Sequence, residues 1–145
     1  MKNIRFNEGA VEVEYMPGDW AQKTANELGT LTRRPIIVRP HPNNDPPRRA
    51  LAADLENAWA CVIWSTSAGV EALVRGIPVI SMAPNWICRG AAGRTLKSVE
   101  TPFFSDESRL DALRRLAWAQ WHVDEIEAGI PFRTLCGGPV TLAGG

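Results

Sequence analysis

Val11, Val13 and Tyr15 alternate with Glu12 and Glu14, a period of two that predicts a half-exposed strand. Pro17-Gly18 turns the chain. Asp19 with Gln22 forms a capping-box pair for a helix from about Trp20 to Leu28, with Gly29 where a left-handed terminator belongs. Pro35-Ile36-Ile37-Val38-Arg39 is a nearly continuous apolar run, the signature of a strand covered on both faces. Pro40-His41-Pro42 ends it, because proline removes backbone donors and fixes φ. Asp45-Pro46-Pro47 opens a helix through Leu51, Leu55 and Ala58. Cys61-Val62-Ile63-Trp64 is a second buried-type strand. The polar corner Ser65–Gly69, a short helix Val70–Arg75 ended by Gly76, and a strand Pro78–Ser81 follow it.

This order, β-α-β-α-β-α-β with short connections and apolar central strands, predicts an α/β fold. It reads as a single Rossmann-like domain over residues 1–136, with a mainly parallel sheet and helices on both faces. A long C-terminal helix is expected from about Ser105 to Ala128, stopped by Gly129 and Pro131, and residues 137–145 read as a flexible tail. Ligands in such folds bind outside the carboxyl ends of the strands. Those ends are the Pro40–Asp45 loop, the Ser65–Gly69 corner and the Met82–Gly90 loop.

Composition narrows the class. The chain has 145 residues, 45% hydrophobic and 22% charged, which suits one globular domain rather than a disordered chain. Sixteen Lys and Arg balance sixteen Asp and Glu, so nothing in the net charge points to nucleic acid. No apolar run is long enough to span a bilayer, and Met1–Phe6 has no apolar core of a signal peptide. Cys61, Cys88 and Cys136 are odd in number and far apart, giving neither a zinc clip nor a disulfide framework. A cytoplasmic location is the expectation.

The most informative segment is Trp64-Ser65-Thr66-Ser67-Ala68-Gly69-Val70-Glu71-Ala72, followed by Gly76-Ile77-Pro78-Val79. A strand that ends in three hydroxyl residues and enters a helix presents free N–H groups, hydroxyls and a positive dipole end to an anion. Ala68 and Gly69 leave room for a phosphate to approach. The Lys and glycines of a P-loop are absent, as is the dinucleotide fingerprint. The plain alternative is that Ser67 caps the helix and does nothing else. Glu71 falls one position too late for a reciprocal capping box with Ser67 and would lie one turn into the helix.

These residues resemble the donor-binding lobe of the GT-B glycosyltransferases, which share the order hydroxyl residue, small residue, Glu, then Gly-x-Pro. With Arg39-Pro40-His41-Pro42 upstream, the pattern is similar to capsule-polysaccharide and Kdo-transferase-like proteins. It also looks like phage-encoded proteins of glycosyltransferase type, which share the Trp118-Ala119-Gln120-Trp121 region. The resemblance covers roughly residues 33 to 132. It implies that Ser65, Thr66 and Ser67 hold the donor phosphates, with Gly69 keeping the approach open. Glu71 would bind ribose or sugar hydroxyls, and Arg39 and His41 would neutralise phosphate or leaving-group charge. The implied ligand is a nucleotide or nucleotide-sugar, with no metal and no cofactor besides that donor substrate. Such enzymes have two lobes, so transfer would need an acceptor lobe supplied elsewhere, and no catalytic base is named here.

Two other readings stay open. The chain is alternatively a non-catalytic phage or bacterial interaction protein that reuses the lobe and associates, with itself or with a partner, through the helix bearing Trp118 and Trp121. A sugar-nucleotide epimerase shares the fold and the Ser-Glu-Gly-x-Pro order. Among single residues, Trp86 lies in a loop after a strand, where it would stack on a base or sugar. Trp59 and Trp64 read as core packing, Arg33 and Arg34 as a solvated edge. Arg89 and Arg94 both lie near the crevice, with nothing in the sequence to choose between them.

Overall fold

The structure, a computed structural model, describes residues 16–39 and 50–137. The strand expected at Val11–Tyr15, the Pro40–Asp45 loop with His41, the Pro46-Pro47 helix start and the tail from residue 138 lie outside them. The chain divides into two compact units, Met1–Leu113 and Arg114–Gly145.

The first unit is α/β. Its described elements are helix α1 (Trp20–Leu31), α2 (Leu51–Leu55), strand β1 (Cys61–Ile63), α3 (Ala68–Val74), β2 (Val79–Ser81), a 3-10 turn Arg89–Ala91, β3 (Ala92–Gly93), a second 3-10 turn Leu96–Ser98, and the start of α4 (Asp106–Trp118). The strands form a parallel sheet in the order β1-β2-β3. Cys61 lies opposite Val79 and Ile63 opposite Ser81, while Ile80 lies opposite Gly93. The central strand β2 is buried throughout, as a parallel strand with covered faces must be.

Successive strand side chains point to opposite faces, and this places the helices. On one face Ile80 forms a core with Leu28 of α1, Leu96 and Val99, and Leu31, Val62 and Met82 pack against it. On the other, Ile63 reaches α3 at Gly69. Val62 and Ile63 are neighbours in β1, so α1 and α3 cover opposite faces of the sheet. Asp19 takes no side-chain capping role at α1. It forms an ion pair with Lys23 at 2.8 Å, and the helix runs past Gly29 to Leu31.

Two expectations for the sheet are corrected. Pro35–Arg39 is not a strand, and Ile36, Ile37 and Val38 are exposed. The segment is held at its ends by side chains rather than by a ladder. Arg34 bonds Glu100 and lies 3.9 Å over the Trp59 ring, and Arg39 pairs with Asp54 of α2. The third strand of the sheet is instead Ala92–Gly93, too short to carry an alternation.

The second unit holds the end of α4, α5 (Val123–Glu127) and α6 (Ile130–Leu135). The single long helix expected from Ser105 to Ala128 is therefore broken. Its last turn tightens as Ala119 N–H donates to both Arg115 and Leu116 carbonyls, and Gln120 N–H to Ala117. His122 is extended, and its N–H donates to the Glu125 carboxylate at 2.6 Å, which starts a new helix. Gly129 stops α5 with φ +70°, and Pro131 then opens α6 in the first turn, where its missing N–H costs nothing.

Candidate functional site

The site expected at Ser65–Glu71 sits at the carboxyl end of β1. The end of that strand is anchored to β2. Ser81, fully buried, donates its hydroxyl to the Trp64 carbonyl at 2.9 Å, and Met82 N–H donates to Ile63 O at 2.9 Å. The Trp64 indole packs edge-on against Trp20, with ring centroids 5.7 Å apart. The chain that leaves this anchor is exposed at Ser65, Thr66 and Ser67.

The corner's hydrogen bonding separates the three hydroxyls. Thr66 Oγ1 accepts from Ala68 N–H at 3.4 Å, and Thr66 O accepts from Gly69 N–H at 3.1 Å. Ser67 is the N-cap residue of α3, yet its side chain makes no capping bond; its carbonyl accepts from Val70 and Glu71. The hydroxyls of Ser65 and Ser67 thus have no protein partner among the described residues. Capping does not account for Ser67.

The other candidates fall in different places. Gly69 is buried, and a Cβ there would lie 2.6 Å from Trp86 Cζ2 and 2.5 Å from Ile63 Cδ1. The absent side chain lets α3 approach the strand and the Trp86 indole. Trp86 is only 5% exposed, which overturns the idea that it stacks on a base or sugar. Glu71, the fourth residue of α3, is half-exposed, and its Oε1 accepts from Arg75 Nε and Nη2, each at 2.8 Å. Arg39 is half-buried and paired with Asp54 of α2. His41 lies outside the described residues.

The Gly-x-Pro part of the motif has a complete structural account. Gly76 has φ +73°, Gly76 N–H donates to Leu73 O at 3.0 Å, and Ile77 N–H donates to Ala72 O at 2.9 Å. This is the Schellman pattern that ends a helix, and it requires the left-handed conformation glycine adopts freely. Pro78 then carries the chain into β2, its carbonyl accepting from Cys61 N–H at 2.9 Å.

Sequence reasoning missed one cluster. Thr32, Arg34, Trp59 and Glu100 form a clasp between the end of α1 and the turn after β3. The Thr32 hydroxyl and Arg34 bond the Glu100 carboxylate, and Trp59 Nε1 donates to Val99 O at 2.8 Å. The Thr32 hydrogen bond above all, helped by the charge and hydrogen bond of Arg34, holds the Glu100 carboxyl below its ordinary value against the opposing effect of burial. Arg34 is therefore engaged, not merely solvated. Its adjacency to Arg33 in an Arg-Arg-Pro run gave no sign of this.

Among the described residues, no group of His, Cys, Asp and Glu is placed to hold a metal ion, and no helix is long and apolar enough to cross a membrane. No family model, curated protein or solved structure matches the chain.

Proposed function

We propose that the chain binds a nucleotide or nucleotide-sugar at the Ser65–Ser67 corner, as the donor-binding half of a glycosyltransferase-like protein. The observation that carries this reading is the pair of exposed hydroxyls of Ser65 and Ser67, without a partner among the described residues, at the carboxyl end of a strand in a parallel sheet. That edge is where open α/β sheets bind ligands. Thr66 is committed to the turn and shapes it. The phosphate receives hydrogen bonds from the two serines. Glu71 accepts from ligand hydroxyls on the side of its carboxylate not occupied by Arg75. Glycosyl transfer follows only when an acceptor lobe completes the site.

Titration calorimetry with UDP, CMP and their sugars tests this. Binding that Ser67→Ala weakens supports it, with Glu71→Ala acting on the sugar-bearing ligands. Absence of binding by any nucleotide contradicts it.

The second reading, an interaction protein, is favoured by one observation. In the second unit Trp118, Val123, Ile126, Phe132 and Leu135 are all exposed. Apolar surface of this kind commonly marks an interface. Light scattering behind size exclusion separates the two readings. A monomer that binds nucleotide supports the first, and an oligomer that dissociates on Trp118→Asp and binds none supports the second.

A further inference from the structure

The second unit is built from helices too short to stand alone. α5 has five residues and α6 six, whereas an isolated helix in water needs about 12 or more to persist. Short helices persist where they bury an apolar face. Yet no residue from 114 to 137 is buried, and Trp118, Val123, Ile126, Phe132 and Leu135 are each more than half exposed. The unit carries one side of a core and lacks the other.

Helical geometry sorts the exposed side chains into stripes. Residues three apart share a face, and the next residue is turned by about 100°. On α5 the apolar stripe is Val123 and Ile126, with exposed Asp124 and Glu127 on the next face. On α6 it is Phe132 and Leu135, with exposed Arg133 on the next face. Arg133 pairs with no carboxylate among the described residues. Both charged flanks follow their stripes in the same rotational sense. Two such helices laid face to face bring their flanks to the same side only when they run antiparallel. The apolar stripes then meet, and the acidic flank of α5 lies along the basic flank of α6. A surface that carries both signs in this order is complementary to itself, as a two-fold interface demands. A partner of one sign would meet like charge on part of it.

We propose that the second unit pairs with its counterpart in a second copy of this chain, α5 of each copy lying antiparallel on α6 of the other. This rests on the reading of that unit as an interaction surface. The partner copy supplies the missing side of the core, and the pairs of Arg133 with Asp124 and Glu127 set the register of the two copies.

The test is size exclusion with light scattering on the full chain over a concentration series. The wild type should form a dimer whose fraction rises with concentration. Arg133→Glu and the double change Asp124→Lys/Glu127→Lys should each weaken self-association at least about tenfold, because like charges then face each other twice. An equimolar mixture of the two variants should recover the dimer as a heterodimer, a result that misfolded chains do not give. A wild-type chain that stays monomeric at every concentration overturns the pairing and leaves only a different protein as partner of the unit. A dimer that Trp118→Asp disrupts but neither reversal weakens keeps the unit as an interface and overturns the placing of α5 on α6. Variants that are monomeric alone and remain so when mixed overturn it as well.

Discussion

A Cβ on Gly69 would lie 2.6 Å from Trp86 Cζ2, so the second residue of α3 is the point at which helix, strand and loop meet. The glycine that would keep an approach open for phosphate instead packs beneath the corner. It fixes α3 on β1 and leaves the hydroxyls above it as the groups that can face a ligand.

Gly69→Ala is therefore expected to destabilise the protein. Overpacking costs about 1–3 kcal/mol against a helix-propensity gain of up to about 1 kcal/mol. Gly76→Ala is expected to cost about 1–2 kcal/mol for its left-handed backbone. Urea denaturation checks both. A raised midpoint for Gly69→Ala would mean that α3 stands off from Trp86.

The cysteines differ in reactivity. Burial pushes the Cys61 thiol up to about 11 and also raises Cys88, whereas Cys136 is exposed. The thiolate is the reacting species. A chromogenic disulfide at pH 8 should label one thiol quickly and the other two only after denaturant is added. Rapid labelling of two or three thiols would contradict the shielding of the Cys61 thiol or the burial of Cys88 in the loop after β2.

The Glu100 clasp predicts an acid limb in stability. Its carboxyl is lowered in the folded state, so the stabilisation is fully present above the ordinary value of 4.5 and is lost as pH falls through the lowered folded value. Melting temperature followed from pH 6 to pH 3 should fall less steeply in Glu100→Gln than in the wild type. Parallel curves would show that the clasp contributes nothing in solution.

Parts of this arrangement were legible in the sequence. The runs Cys61–Trp64 and Pro78–Ser81 are apolar enough to announce covered strands, and Gly76 marks the end of α3 because a Schellman turn needs its backbone. Ile36–Val38 is equally apolar, yet it stays outside the sheet. An apolar run records what a segment is able to bury, not whether a ladder receives it. Trp86 faces Gly69 across a separation in sequence that no local pattern encodes. The break after Trp118 has no proline or glycine to signal it, and only His122 with Glu125 three residues on carried the cue. The hydroxyls of Ser65 and Ser67 were visible as residue types, but their lack of a partner among the described residues is a property of the fold alone.

Amide chemical-shift mapping by NMR during titration with a nucleoside diphosphate tests the central claim most directly. The account predicts saturable shifts at Ser65, Thr66, Ser67 and Ala68, and little change along α1. Shifts confined to other surfaces, or none at saturating ligand, would contradict a ligand site at the carboxyl end of β1.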